Sequence, residues 1–353
     1  MRRTYRRFAG LVLGLAVVVA TFVFVLPRIA DYGDVWRVVR ELSWEQLAAL
    51  TGVTVLNLAT FPPQWMAALP GLRFQQAFVV TQASTASTYI APGGPAVGVA
   101  LSFAMLRSWG FRPRDVGLAV AINAIWNQLC TLGFPVVALV LLTLAGGDDA
   151  LLQTAALIGL GIFVFLAGSF AVGLGSAHLA RRVGDLAAGT ASGVLRLLRR
   201  DPVTWDGEAF VRFRARTIGL LERRWPVITL GTLAGQLTVF LVLLVSLRVL
   251  DVPAREVSAT EAFAAWSLAR LLATVPITPG GIGVVELGLT SALVGFGGGN
   301  AGVVAAVLVY RFLTVVPTLV LGLLSAATWR HHNPGRLDAE TAPAGPSPGP
   351  PAA

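Results

Sequence analysis

The chain has 353 residues, 55% of them hydrophobic and only 13% charged, with a mean hydropathy of +0.73. A soluble domain carries about 25% charged residues, so a water-soluble globular protein is excluded. The net charge of +9 comes from 27 basic residues, all arginine, placed in short segments between apolar runs, which orients a membrane protein and does not point to nucleic acid.

The first predicted element is an apolar run at 8–26 behind MRRTYRR. It is too long for a signal-peptide core, and Pro27-Arg28-Ile29-Ala30 is a poor cleavage site, so it reads as an uncleaved span with its arginines in the cytoplasm. Residues 31–46 mix both signs of charge and suit the outer side. A second span is expected at 47–69, bent by Pro62-Pro63. Residues 77–106 are apolar enough for a bilayer but are interrupted by Pro92, Gly93, Gly94 and Pro95. Arg73 precedes them and Arg107, Arg112 and Arg114 follow. Both ends therefore read as cytoplasmic, which a hairpin satisfies and a spanning helix does not.

Third and fourth spans are expected at 117–145 and 150–177, joined by the acidic turn GGDDA. Residues 179–225 turn polar and hold ten arginines, the strongest cytoplasmic marker in the chain. Within them, 194–200 fits either a helix lying on anionic headgroups or a solvated loop helix. A fifth span is expected at 226–247. Residues 268–293 (LARLLATVPITPGGIGVVELGLTSAL) are again broken, by Pro276, Pro279, Gly280 and Gly281. Proline removes a backbone donor, glycine tolerates unusual dihedrals, and each apolar arm is shorter than the roughly 20 residues a span needs. A second hairpin is predicted here, turning at Thr278-Pro279-Gly280-Gly281. Broken backbone at membrane depth is tolerated only inside protein or beside a watery cavity, and in transporters it marks the substrate site. A last span at 301–329 precedes a tail, 331–353, whose Pro, Ala and Gly content predicts disorder.

The two broken stretches align. Pro92, Gly93, Gly94 and Val97 face Pro279, Gly280, Gly281 and Val284, each set within a span–hairpin–span unit. The expected fold is an all-α polytopic membrane protein, a single domain at 1–330 of about six transmembrane helices plus two re-entrant helical hairpins in an inverted repeat. Repeat 1 covers about 8–145 and repeat 2 about 150–329; the first hairpin opens from the cytoplasm, the second from outside, and both termini are cytoplasmic. The competing reading makes both stretches kinked spans, which places Arg107, Arg112 and Arg114 outside or inverts all that follows.

VPITPGGIGVVE, at 275–286, resembles the C-terminal signature of the lysylphosphatidylglycerol synthase transmembrane domain family, the flippase-like integral membrane proteins. APGGPAVGVALSFAMLRSWG, from Ala91, is similar to the matching N-terminal motif. The resemblance extends over about residues 8 to 330. It implies a protein of the bacterial inner membrane linked to moving an aminoacylated or otherwise modified lipid. The soluble aminoacyl-transfer domain of full synthases does not follow here, so synthase activity is not expected to carry over. The N-terminal motif often has an acidic residue soon after its glycines, as Glu286 follows Gly281; Val99 stands at that position.

Ionisable groups inside spans are costly and are functional candidates by default. Glu286 begins the second arm of the second hairpin, where a carboxylate benefits from the helix N-terminus. It fits a partner for a cationic headgroup, a proton carrier, or a tie to Arg270 on the other arm. Arg270 fits a lipid phosphate or that same tie. Arg311, inside the last span, fits phosphate or an interhelical pair, with Glu286 again a partner. Asn123 and Asn127 share one helix face and either line a cavity or bond between helices, as do Gln236 and Asn57. Ser84, Thr85, Ser87, Thr88 and Tyr89 make one arm of the first hairpin polar, for a headgroup path or for close packing. Nothing resembles a catalytic apparatus: there is no P-loop lysine, and Cys130 with His178, His331 and His332 gives no metal spacing, so neither an enzyme nor a cofactor is expected.

The function these residues predict is a lipid translocase whose partners are membrane lipids, through an anionic phospholipid or lipid-linked headgroup. A carrier of a small solute or ion, and a membrane subunit anchoring a separate lipid-modifying enzyme, remain open, as does homo-oligomerisation.

Overall fold

Ser43 starts the helix at 44–60 by a reciprocal cap. Its Oγ accepts the Gln46 N–H at 3.3 Å, and its own N–H donates to Gln46 Oε1 at 2.8 Å, which satisfies two donors at the start of α1 (Trp44–Thr60). Pro62-Pro63 then end that helix at Phe61 and open α2 (Pro62–Ala68), because proline fits best in a first helical turn. The expected second span is thus two helices meeting at Phe61. The computed structural model describes residues 40–90, 94–145, 150–178, 207–274 and 279–329, with isolated positions between 181 and 189. The expected first span, residues 190–206, the tail, Pro92, Gly93 and Thr278 lie outside the described residues.

Both proline-glycine stretches are broken as the sequence predicts. The first forms α3 (Phe74–Ile90) and α4 (Gly94–Ser108); the second forms α8 (Ala259–Leu272), a tight turn at Pro279–Gly281 and α9 (Val284–Gly295). These arms have 17, 15, 14 and 12 residues, each below the length of a spanning helix. Between and after them run α5 (Pro113–Leu144), α6 (Ala150–Gly175), α7 (Gly207–Val249) and α10 (Asn300–Thr328). α7 begins at Gly207, well ahead of Pro226, so the end of the arginine-rich segment is helix continuous with the fifth span.

All regular structure among the described residues is helical. Among the described residues three helices are long and apolar enough to cross a membrane: α5, residues 210–249 of α7, and α10. Their interior prolines, Pro135, Pro226 and Pro317, do not end them, as neighbouring helices in membranes allow. α6 turns large apolar side chains outward, with Leu157 and Phe165 about 70% exposed, a surface that suits lipid and not water.

α4 returns along α3. A side chain at Gly94 would lie 2.5 Å from Thr88 Cα, and one at Gly98 would lie 2.8 Å from the Ser84 carbonyl oxygen, so both glycines let the arms touch backbone to backbone. α3 packs on α10, α8 packs on α5, and α1 crosses α7. The first arm of each broken pair therefore lies against the long helix that closes the other half of the chain. Phe134 of α5, Phe240 of α7, and Phe263 and Trp266 of α8 hold the second of these contacts, with ring centroids 5.1–5.7 Å apart.

The first contact depends on Gly322 of α10. A Cβ there would meet Ala86 and lie 2.5 Å from the Gln82 carbonyl oxygen. Overpacking of this kind costs about 1–3 kcal/mol, so Gly322→Val is expected to lower the melting temperature in detergent, whereas Gly117→Val, where a Cβ meets nothing within 4 Å, changes it far less.

Candidate functional site

Gly280, Gly281 and Gly283 adopt φ of +63°, +69° and +84°, backbone that glycine holds without the Cβ penalty. They turn the chain so that Glu286 falls in the first turn of α9. Its Oε2 accepts the Gly283 N–H at 2.7 Å, the backward half of a capping box. Its Oε1 accepts Arg311 Nε at 2.6 Å, and the two side chains are 15% and 7% exposed. Arg311 Nη2 reaches on to the Gly280 carbonyl at 3.4 Å. Glu286 and Arg311 thus fasten the turn of the second broken pair to α10.

The tie between Glu286 and Arg270 does not form. Arg270 points elsewhere: its guanidinium lies 5.6 Å from the centre of the Trp266 ring and donates through Nη2 to Gln236 Oε1. Trp266 is held in turn, its Nε1 donating to the Tyr310 hydroxyl at 3.2 Å. Gln236 Nε2 donates to Asn127 Oδ1 at 2.6 Å, and Asn127 Nδ2 donates to the Asn123 carbonyl at 2.8 Å. A chain of amides across α7 and α5 therefore sets the direction of Arg270. Among the described residues no carboxylate pairs with it.

Two adjoining cavities, of about 150 and 340 Å³, share Arg270, Asn57, Phe61, Thr85 and Thr318 in their walls. Arg311 and Tyr89 line the smaller; Asn123, Asn127, Ser84 and Thr88 line the larger. Glu286 lines neither. Asn57 also binds α1 to α7, donating to Thr238 Oγ1 at 3.2 Å. Of the predicted turn residues, Pro279, Gly280 and Gly281 form the tight turn and Gly280 lines the smaller cavity, Gly94 starts α4, and Pro92 and Gly93 lie outside the described residues. Sequence reasoning missed Trp266, Tyr310 and Gln64. The first two are aromatic residues in apolar runs, and Gln64 follows two prolines, so none carried a signal.

The turn also touches the first pair. A Cβ on Gly280 would run into the Tyr89 ring. Gly280→Ala is expected to destabilise the protein by about 1–3 kcal/mol, and Tyr89→Ala in the same chain recovers the steric part, leaving the cost of positive φ; thermal unfolding of the two variants separates them.

The sequence model of the lysylphosphatidylglycerol synthase TM region matches residues 11–322, which takes in both broken stretches, the cavities and all three charged candidates. The chain belongs to that family. No curated relative matches it. Together with the long apolar helices, membership makes this a multi-pass membrane protein tied to lipid handling. Every residue of the site just described falls within the family's own boundaries.

Proposed function

We propose that the protein is a flippase-like translocase that moves a phospholipid between the leaflets of a bacterial inner membrane without chemical change to it. The observation that carries this is Arg270, a guanidinium on the wall of both cavities with no carboxylate partner among the described residues. Guanidinium binds phosphate oxygens through a rigid fork of donors, and every phospholipid supplies a phosphate. Arg311 is already neutralised by Glu286, so it anchors the turn and does not compete for cargo.

Several features support the route. The arms of each broken pair are short, and each pair packs on the other half's closing helix, an arrangement that suits two re-entrant hairpins in an inverted repeat. The first opens from the cytoplasm and the second from outside, with both termini cytoplasmic and the arginine-rich segment on the same side. Headgroups pass the cavities between the hairpins while acyl chains remain in lipid. Purified protein in liposomes is expected to exchange an acyl-labelled phospholipid between leaflets well above the protein-free rate. Folded protein that exchanges no phospholipid defeats this reading.

A further inference from the structure

We infer that the larger cavity takes a phosphate bearing an uncharged polyol, such as glycerol or a sugar, in preference to one bearing an amine; this rests on lipid translocation as the function of the same site. The charge inventory comes first. Among the described residues, Arg270 is the only charged one lining the larger cavity, Arg311 joins it in the smaller, and no carboxylate lines either. The nearby carboxylate, Glu286, has both oxygens engaged, by Arg311 and by the Gly283 N–H. One phosphate balances Arg270. An amine on the same headgroup then adds a positive charge that nothing in the wall answers, in a setting where charge is weakly screened.

The hydrogen-bonding inventory agrees. Ser84 and Thr88 donate their hydroxyl protons to their own helix, to the Thr81 carbonyl at 3.1 Å and the Thr85 carbonyl at 2.7 Å, which leaves oxygen lone pairs for a ligand. Asn123 does the same with its amide, donating to the Ala119 carbonyl at 2.8 Å, and its Oδ1 is left without a partner. Gln64 supplies the opposite need: its Nε2 is a buried donor without an acceptor. Gln64 and Asn123 are 2% and 5% exposed, and both line the larger cavity. Buried polar atoms normally have partners, so two orphans in one wall mark a place where a partner is due. The hydroxyls of a polyol both donate and accept, so they suit an orphan acceptor and an orphan donor alike. An ammonium only donates, so it leaves Gln64 unmatched. At about 340 Å³ the space is at the lower end of those that hold small organic ligands.

The test compares acyl-labelled lipids in one liposome preparation: a glycerol headgroup, an ethanolamine headgroup and an aminoacylated glycerol headgroup. Labelled glycerol 3-phosphate is offered alongside as the free counterpart. The glycerol lipid is expected to exchange about tenfold faster than either amine-bearing lipid, the effect of one or two net hydrogen bonds. Asn123→Leu and Gln64→Leu are expected to remove that preference with little change in melting temperature, since each removes an orphan buried atom and Asn123→Leu gives up besides only the bond to the Ala119 carbonyl within its own helix. Equal rates, or faster exchange of the amine-bearing lipids, overturn the polyol site and leave the translocase standing. Uptake of glycerol 3-phosphate by folded protein that exchanges no lipid keeps the polyol-phosphate site and overturns the lipid reading. Neither exchange nor uptake overturns both.

Discussion

Glu286→Gln is expected to destabilise the protein by about 3–5 kcal/mol, the cost of breaking a buried ion pair by removing one partner. The glutamine keeps an oxygen to accept the Gly283 N–H, so the helix start survives and the loss is assignable to Arg311. That side chain is 7% exposed, and it cannot escape by losing its proton, because arginine stays charged in proteins. The reverse substitution, Arg311→Leu, is milder. The orphaned carboxylate is the more exposed partner, at 15%, and it keeps the Gly283 N–H as a donor. The double variant Glu286→Gln/Arg311→Leu leaves neither charge and is expected to recover most of the loss, as apolar replacements of buried pairs do elsewhere. Reversible unfolding of the four proteins in detergent gives the coupling. Single effects that add to within about 0.5 kcal/mol would show that the two side chains act independently, and the fastening of the turn to α10 would have to be abandoned.

The same pair shows what could and could not be read beforehand. Glu286, Arg270 and Arg311 are conspicuous because charges in apolar runs are rare, and the position of Glu286 at a helix start follows from the glycines before it. Which arginine it meets does not follow. Arg270 is closer in sequence, but the choice depends on which helix lies beside the turn, and that is settled by packing, at Gly322 and Tyr89 among others, between segments distant in sequence. The breaks at both proline-glycine stretches were legible because proline and glycine act locally. The early start of α7 was not. Arginines report the side of the membrane and say little about backbone conformation, so residues 207–225 read as loop while forming a helix. Asn123 and Asn127 were placed on one face by spacing alone, but the relay through Gln236 to Arg270 needs α5, α7 and α8 side by side, which no local pattern encodes.

Arg270→Gln should separate transport from folding. Its guanidinium is half-buried, pairs with no carboxylate among the described residues, and bonds only to Gln236 besides resting on Trp266. A glutamine there still donates to Gln236, so the melting temperature should stay within the shift of about 1 kcal/mol typical of one neutral hydrogen bond. Leaflet exchange should fall by roughly ten- to a hundredfold, since a hydrogen bond to a charged group contributes about 1.5–3 kcal/mol. Arg270→Lys restores the charge but not the fork, and should return only part of the rate. This order, arginine above lysine above glutamine with stability unchanged, is what phosphate recognition requires. A purely structural arginine would move stability and exchange together, and a membrane anchor for another enzyme would lose nothing in liposomes. Unaltered exchange by folded Arg270→Gln would place the cargo phosphate elsewhere, and the cavities would then have to be read without it.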